Sequence, residues 1–308
     1  MSWNKRLIQA KAEATYGTDP VLAAADAVLA MDLTLRPLEG DYQGRDFATG
    51  FEGARAEDLF NVHAAAEFSV EAAGSGAAGD APSYAHLLKA CGLSETISAG
   101  VSATYSPTPA DASYGSVALA MRTAQTLQTV LGARGALSFT AETSRKPKFE
   151  FDYRGIFGAP VAPGAFTPDF SAWGEALECS PANMSAVTFG GVELCVRSFS
   201  VSDGRTARRG QFMNCDETDI VTRRFTGQMT VEMPAIGDLD VIGLAKAGTL
   251  SPLVWEIGSA AGEVLRIAGP KVQIKYGGEQ NIEGVLGVNL DLVFTPDQGD
   301  DEIAFTFT

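Results

Sequence analysis

The sequence is poor in the residues on which most site chemistry depends. It has two histidines and four cysteines in 308 residues. Two histidines leave little material for imidazole catalysis or a histidine metal site. The cysteines, Cys91, Cys179, Cys195 and Cys215, form no C-x-x-C pair and match no zinc spacing, so reduced thiols are expected. Positive charge is also scarce: 23 Lys+Arg stand against 38 Asp+Glu, a net charge of −15. That balance argues against a protein that grips phosphate backbones, which needs many cations on one face. Long hydrophobic runs are missing. The most apolar stretch, Val21 to Ala30, contains Asp26 and is about half the length of a membrane span. The opening is not expected to act as a secretory signal, since Lys5 and Arg6 are followed by only four uncharged residues before Lys11. No nucleophile elbow or Walker loop occurs, and no catalytic, cofactor or metal set is singled out.

What the sequence has is alternation. In Phe60 to Ala72 one face reads Phe60, Val62, Ala64, Ala66, Phe68 and Val70, and the other carries His63, Glu67, Ser69 and Glu71. That is the period of a half-buried strand. Leu137 to Glu142, Lys148 to Tyr153 and Leu286 to Phe294 follow the same rule. Helical signals are few: Pro82 to Cys91, stopped by Gly92, and Ile236 to Ala247, stopped by Gly248. The expectation is a mainly β protein with two short helices. Ala10 to Ala30, broken by Gly17 and Pro20, could be a helix or an extended arm. Gly74, Gly76 and Gly79 fit G-x-G-x-x-G, but the strand before them alternates and three residues separate them from the helix. They therefore read as a surface loop, not a nucleotide turn.

The elements recur. Asp58–Phe60 leading to Phe68–Glu71 lines up with Asp219–Val221 leading to Met229–Glu232 at a constant offset of 161, and a helix ending in glycine follows each. The pattern predicts two tandem β-sandwich or barrel modules, each with one short helix. Residues 1–160 are an N-terminal arm plus the first module, 161–180 a proline-bearing linker, and 181–308 the second module.

Charge follows the strands. Glu67, Glu71, Glu142, Glu150, Asp152, Glu232 and Asp291 occupy polar faces, while Arg205, Arg208 and Arg209 gather in a loop and Arg223 and Arg224 form a pair. This is either a solvated surface or a pattern of complementary subunit contacts. At the end, Asp297, Asp300, Asp301 and Glu302 precede Ile303, Phe305 and Phe307, which alternate with Ala304, Thr306 and Thr308. That apolar face needs cover, from the last sheet of the same chain or from a neighbour by strand addition. In the second case the acidic run would reach Arg205, Arg208 and Arg209.

The first 50 residues carry a resemblance. Lys11-Ala-Glu-Ala-Thr-Tyr-Gly-Thr-Asp-Pro20, Ala25-Asp-Ala-Val-Leu29, Leu33-Thr-Leu-Arg-Pro-Leu-Glu-Gly40 and Arg45–Asp46 resemble the start of major tail tube proteins of long-tailed bacteriophages. The resemblance implies a non-enzymatic β module whose sheets join around a ring, with rings stacked into a hollow virion tail that carries DNA. It implies contacts with other copies, the tape-measure protein, and terminator and baseplate proteins, and no cofactor. One module fills a sixth of a ring in the family, so two fused modules predict a trimeric, pseudo-sixfold ring, with a hexamer of chains as the alternative. Glu71, Glu232, Glu150, Asp152 and Asp291 are candidates to face the lumen. Arg205, Arg208, Arg209, Ile303, Phe305 and Phe307 are candidates to meet a neighbour. Other readings are a capsid decoration or fibre protein, or an enzymatic or carbohydrate-binding β-sandwich; the scattered Trp3, Trp173 and Trp255 do not favour the last.

Overall fold

A computed structural model describes residues 5–109 and 111–308. The chain is mainly β, as the alternation predicts. The first half runs β1 (Leu7–Ala12), β2 (Met31–Gly44), β3 (Glu57–Glu71), α1 (Ala85–Ala90), β4 (Leu93–Ser98), β5 (Ser102–Pro107), β6 (Val117–Arg122), β7 (Leu127–Glu142) and β8 (Lys148–Ile156). The second half runs β9 (Met184–Phe189), β10 (Val192–Glu193), β11 (Val196–Ser202), β12 (Thr206–Gln211), β13 (Asp216–Val221), β14 (Thr226–Glu232), α2 (Val241–Ala247), β15 (Leu250–Ile257), β16 (Leu265–Ile282), β17 (Val285–Thr295) and β18 (Ala304–Phe307). Gly92 and Gly248 take left-handed φ of 76° and 67° just after the two helices, the conformation that glycine supplies at a helix end.

All pairings are antiparallel. In the first half the strands lie in the order β2-β3-β8-β7-β6-β1, and in the second β11-β14-β17-β16-β15-β9. The two orders match strand for strand. At the offset of 161, Asn61 and Thr222 are both left-handed, with φ of 52° and 62°, a conformation uncommon for either residue. The long strand that is unbroken in β3 is interrupted at this point in the second half, giving β13 and β14.

β11 pairs with β7, Ser200 opposite Thr140, so one sheet passes from half to half. The extended arm is built in: β1 pairs with β6 along its whole length. The buried aliphatic and aromatic residues form one core cluster through both halves. Phe139 touches Phe149 and Phe199, with ring centroids 5.1 and 6.2 Å apart. Trp255 stacks on Phe199, while Trp3 lies outside the described residues. Between β3 and α1, a Cβ on Gly74 or Gly79 would lie 2.2–2.3 Å from the backbone of Gly262 or Gly100. These glycines serve backbone packing rather than a nucleotide.

The C-terminal strand joins the halves. β18 pairs with β16 on one side and β5 on the other. Ile303, Phe305 and Phe307 are at most 1% exposed, and Phe305 meets Phe149 while Phe307 meets Tyr84 and Tyr105. The expectation that these three side chains meet a neighbour is therefore corrected. Each contributes about 1.5–3 kcal/mol by burial within its own chain. The acidic run before them is likewise used locally. Arg223 pairs with Asp300 and, at 2.8 Å, with Glu302, and Asp301 accepts from the backbone N–H groups of Asp297 and Gln298. It does not reach the loop arginines.

Candidate functional site

The registers place one face of the sheet under a single description. Glu67 lies opposite Asp152, Ser69 opposite Glu150 and Glu71 opposite Lys148. Ser138 is opposite Glu150 and Thr140 opposite Lys148. Across the junction Ser198, Ser200 and Ser202 face Glu142, Thr140 and Ser138, then Thr230, Gln228 and Thr226 on the other side. Gln228 is opposite Asp291, and Asp291 opposite Lys275. Because residues two apart along a strand share a face, this is one polar surface eight strands wide, from β2 to β16. All five acids expected to face a lumen, Glu71, Glu150, Asp152, Glu232 and Asp291, lie on it. Glu71 and Glu232 hold matching places, as do Asp152 and Asp291, the last two each one residue past the buried pairs Phe68–Phe151 and Met229–Leu290.

The charge on this face is uneven. Eight carboxylates, Asp32, Glu67, Glu71, Glu142, Glu150, Asp152, Glu232 and Asp291, share its open part with Arg36, Lys148, Lys271 and Lys275. Lys148 bonds Glu150 at 2.8 Å, and that bond raises the lysine pKa. Lys146, on the turn before β8, bridges Glu175 at 2.6 Å and Glu71 at 3.3 Å; the Glu175 bond is the larger cause of its raised pKa. Arg36 pairs with Glu67. Glu232 and Asp291 are exposed, and Asp291 accepts a 3.2 Å hydrogen bond from Gln228. Between the two acidic zones the junction carries hydroxyl groups, Ser198, Ser200, Ser202, Ser138 and Thr140. The serine stripe was legible as alternation with Phe199 and Val201; its role in joining the halves was not.

One end of the face is covered. The β12–β13 hairpin folds back over β7 and β8. Arg134, 6% exposed, donates to the Thr218 carbonyl at 2.8 Å and the Glu217 carboxylate at 3.0 Å, and its guanidinium lies 4.7 Å from the Tyr16 ring centre. Arg154 donates to the Ala207 carbonyl at 3.5 Å. Of the three arginines expected to meet a neighbour, two are spent inside the chain. Arg205 is buried, donates to the Cys91 carbonyl and lies near Tyr114, and burial lowers its pKa. Arg209 is buried and pairs with Asp216. Only Arg208 is exposed. Arg134 escaped the sequence reading because Gly132 and Gly135 break the alternation around it.

The histidines are separate. His63 is buried, 3.3 Å from Glu39, and burial lowers the His86 pKa to about 4. Among the described residues no three His, Cys, Asp or Glu side chains are grouped to hold a metal, and no helix is long and apolar enough to cross a membrane.

The family model described as phage tail tube protein matches residues 3–296. The chain belongs to the phage tail tube family. No curated protein matches it. The tail tube chain is thus a structural protein of the virion tail, in a family that is not a class of enzymes.

Proposed function

We propose that the chain polymerises into stacked rings that form the hollow tail tube through which DNA is delivered, with the polar face of the sheet lining the lumen. The observation that carries this reading is the continuity of that face across both halves, with carboxylates in excess. A wall of that sign repels phosphates, so DNA passes without adhering. The chain is two tube modules in tandem: an arm and first module over 1–160, a linker over 161–180 and a second module over 181–308. Matching strand orders and the paired left-handed residues Asn61 and Thr222 support it. The core cluster runs through both halves, so neither module is expected to fold alone.

Three chains then make a ring of six modules, with contacts alternating within and between chains. A hexamer of chains is the competing count. The hairpin tips, with Phe47 and Phe51 in one half and Phe212 and Met213 in the other all exposed, are offered to the next ring. Assembly takes place in the host cytoplasm around the tape-measure protein, and terminator and baseplate proteins hold the ends. Electron micrographs of the purified chain test the reading: hollow rods whose end views average to three chains per ring support it, and discrete particles or solid fibres overturn it.

A further inference from the structure

The two hairpins that match in the strand order differ in what covers them. In the second half Ala207 and Ile220 face each other across the β12–β13 hairpin and are 5% and 6% exposed, because the hairpin lies on β7 and β8 of the first half. At the offset of 161, Ile220 corresponds to Leu59. Leu59 is paired with Tyr42, so Tyr42 stands where Ala207 stands. Tyr42 is 64% exposed. Leu59 is half-buried, so the first hairpin leaves exposed, chiefly at Tyr42, a face that its counterpart buries.

The surface equivalent to the one covered internally is placed by the register. Arg134 and Arg154 face each other beneath the covered hairpin. Leu137 pairs with Phe151 as Tyr276 pairs with Leu290, so the matching pair in the second half is Gln273 opposite Val293. Lys271, paired with Asp297, and exposed Lys275, opposite Asp291, flank Gln273 on that face. Residues 39–58 of the first hairpin hold six acids and two arginines. The acidic hairpin finds an exposed cation there in Lys275, and such a pairing favours encounter and orientation.

We infer that the distal β2–β3 hairpin docks, Tyr42 and Leu59 downward, on the β16–β17 end of a second copy of this chain. The contact repeats between chains what β12–β13 makes within one, and it rests on the ring reading above. It also accounts for the larger side chain. Ala207 sits on a surface already tethered by covalent continuity, whereas a contact between separate chains must overcome the cost of association and gains from a rigid aromatic anchor.

Two variants test it in the full chain. The first carries Tyr42→Cys with Val293→Cys, and Cys195→Ser and Cys215→Ser to remove the exposed thiols. Oxidation of its assembled tubes is expected to give covalent dimers and then trimers on denaturing gels, with no larger closed species and no products from either single-cysteine control. A ladder stopping at six chains supports the docking surface and overturns the three-chain ring. Tubes that give no products above the controls overturn the docking surface and leave the tube reading standing. The second variant, Tyr42→Asp with Leu59→Asp, is expected to keep the wild-type circular dichroism spectrum and to lose polymerisation. If it polymerises like wild type, the docking surface is wrong. If wild type itself forms no rods, the tube reading fails and this contact with it.

Discussion

The two long hairpins begin alike and end differently. In the first half the chain runs through β2 and β3 with bulges near Pro37 but no break, and its far end is exposed. In the second half the same path breaks into β11–β12 and β13–β14, and the far end folds over the neighbouring half. The kink has a different chemistry in each. Arg36 pairs with Ala65 as Ser202 pairs with Thr226, so Pro37 and Asp203 hold matching places. Pro37 lacks an N–H to donate and bends the strand. Asp203 donates its N–H to the Leu137 carbonyl, accepts from the Leu137 and Arg205 N–H groups, and is followed by left-handed Gly204. Alternation sets which strands form and in what order. What each hairpin does afterwards is decided by the surface it finds, and Tyr42 of the first hairpin stays exposed.

The largest expected effect comes from cutting the strand shared by both halves. Deleting residues 303–308 removes three fully buried side chains and exposes edges of β16 and β5 together. Phe305→Ala or Phe307→Ala alone is expected to cost about 3–5 kcal/mol, and the deletion to leave an unfolded chain. Denaturant unfolding followed by fluorescence of Trp173 in the first-half packing and Trp255 in the second should show both halves lost in one transition. Two separate transitions would break the picture of halves sharing one core.

Arg134→Ala should make the second hairpin behave like the first. It leaves the Thr218, Tyr114 and Gly115 carbonyls without their donor, at a cost of about 1–3 kcal/mol. Amide exchange in 206–221 is expected to rise to the level of 39–60, while β7 and β8 stay protected. Unchanged protection in 206–221 would show that Ala207 and Ile220 hold the hairpin without the arginine.

How much of this was legible in the sequence follows from what alternation encodes. A period of two identifies strands and their faces, so β3, β7, β8, β17 and the polar positions were readable from local pattern. Both helix stops were readable because glycine supplies the left-handed residue. The offset of 161 located the repeat but ran through Thr222 without revealing that β13 and β14 are separate strands. Partner choice is not local. Ile303, Phe305 and Phe307 needed cover, and nothing in their own pattern says that β5, some 200 residues earlier, supplies it. Arg205 and Arg209 looked like surface cations because the Tyr114, Cys91 and Asp216 groups that enclose them come from distant or reversed segments.

Asp203 gives a smaller and pH-dependent effect. Burial raises its carboxyl to about 6, against hydrogen bonds that oppose the shift. The folded chain therefore holds this proton more tightly than the unfolded chain. Its contribution is fully present below about pH 4 and is lost as the pH rises through 6, by about 1–3 kcal/mol. Asp203→Asn is expected to flatten the change in thermal midpoint across that window, and an equally steep profile in the variant would assign the titration elsewhere. Pro37, at the matching position, has no proton to titrate.

The smallest expected effect on folding is on the open face, where the two halves can be compared at Asp152 and Asp291. Asp291 is exposed, accepts from Gln228 and stands opposite Lys275, so Asp291→Lys should cost no more than about 1 kcal/mol, from the like-charge pair it creates. Asp152 is half-buried, and one of its oxygens has no hydrogen-bond partner, so a lysine there places its ammonium beside Glu67 and Ala136 at little cost. If the face lines the lumen, both substitutions leave tube formation intact and slow DNA ejection to a similar degree, because each turns a repelling group into one that holds phosphate. Ejection rates from particles assembled with each variant, compared at two salt concentrations, check this. The slowing should diminish at the higher salt, where exposed charges are screened. Slowing at one position but not the other would mean that only one half of the sheet faces the passing DNA, and the matching of the two halves would stop at the strand order.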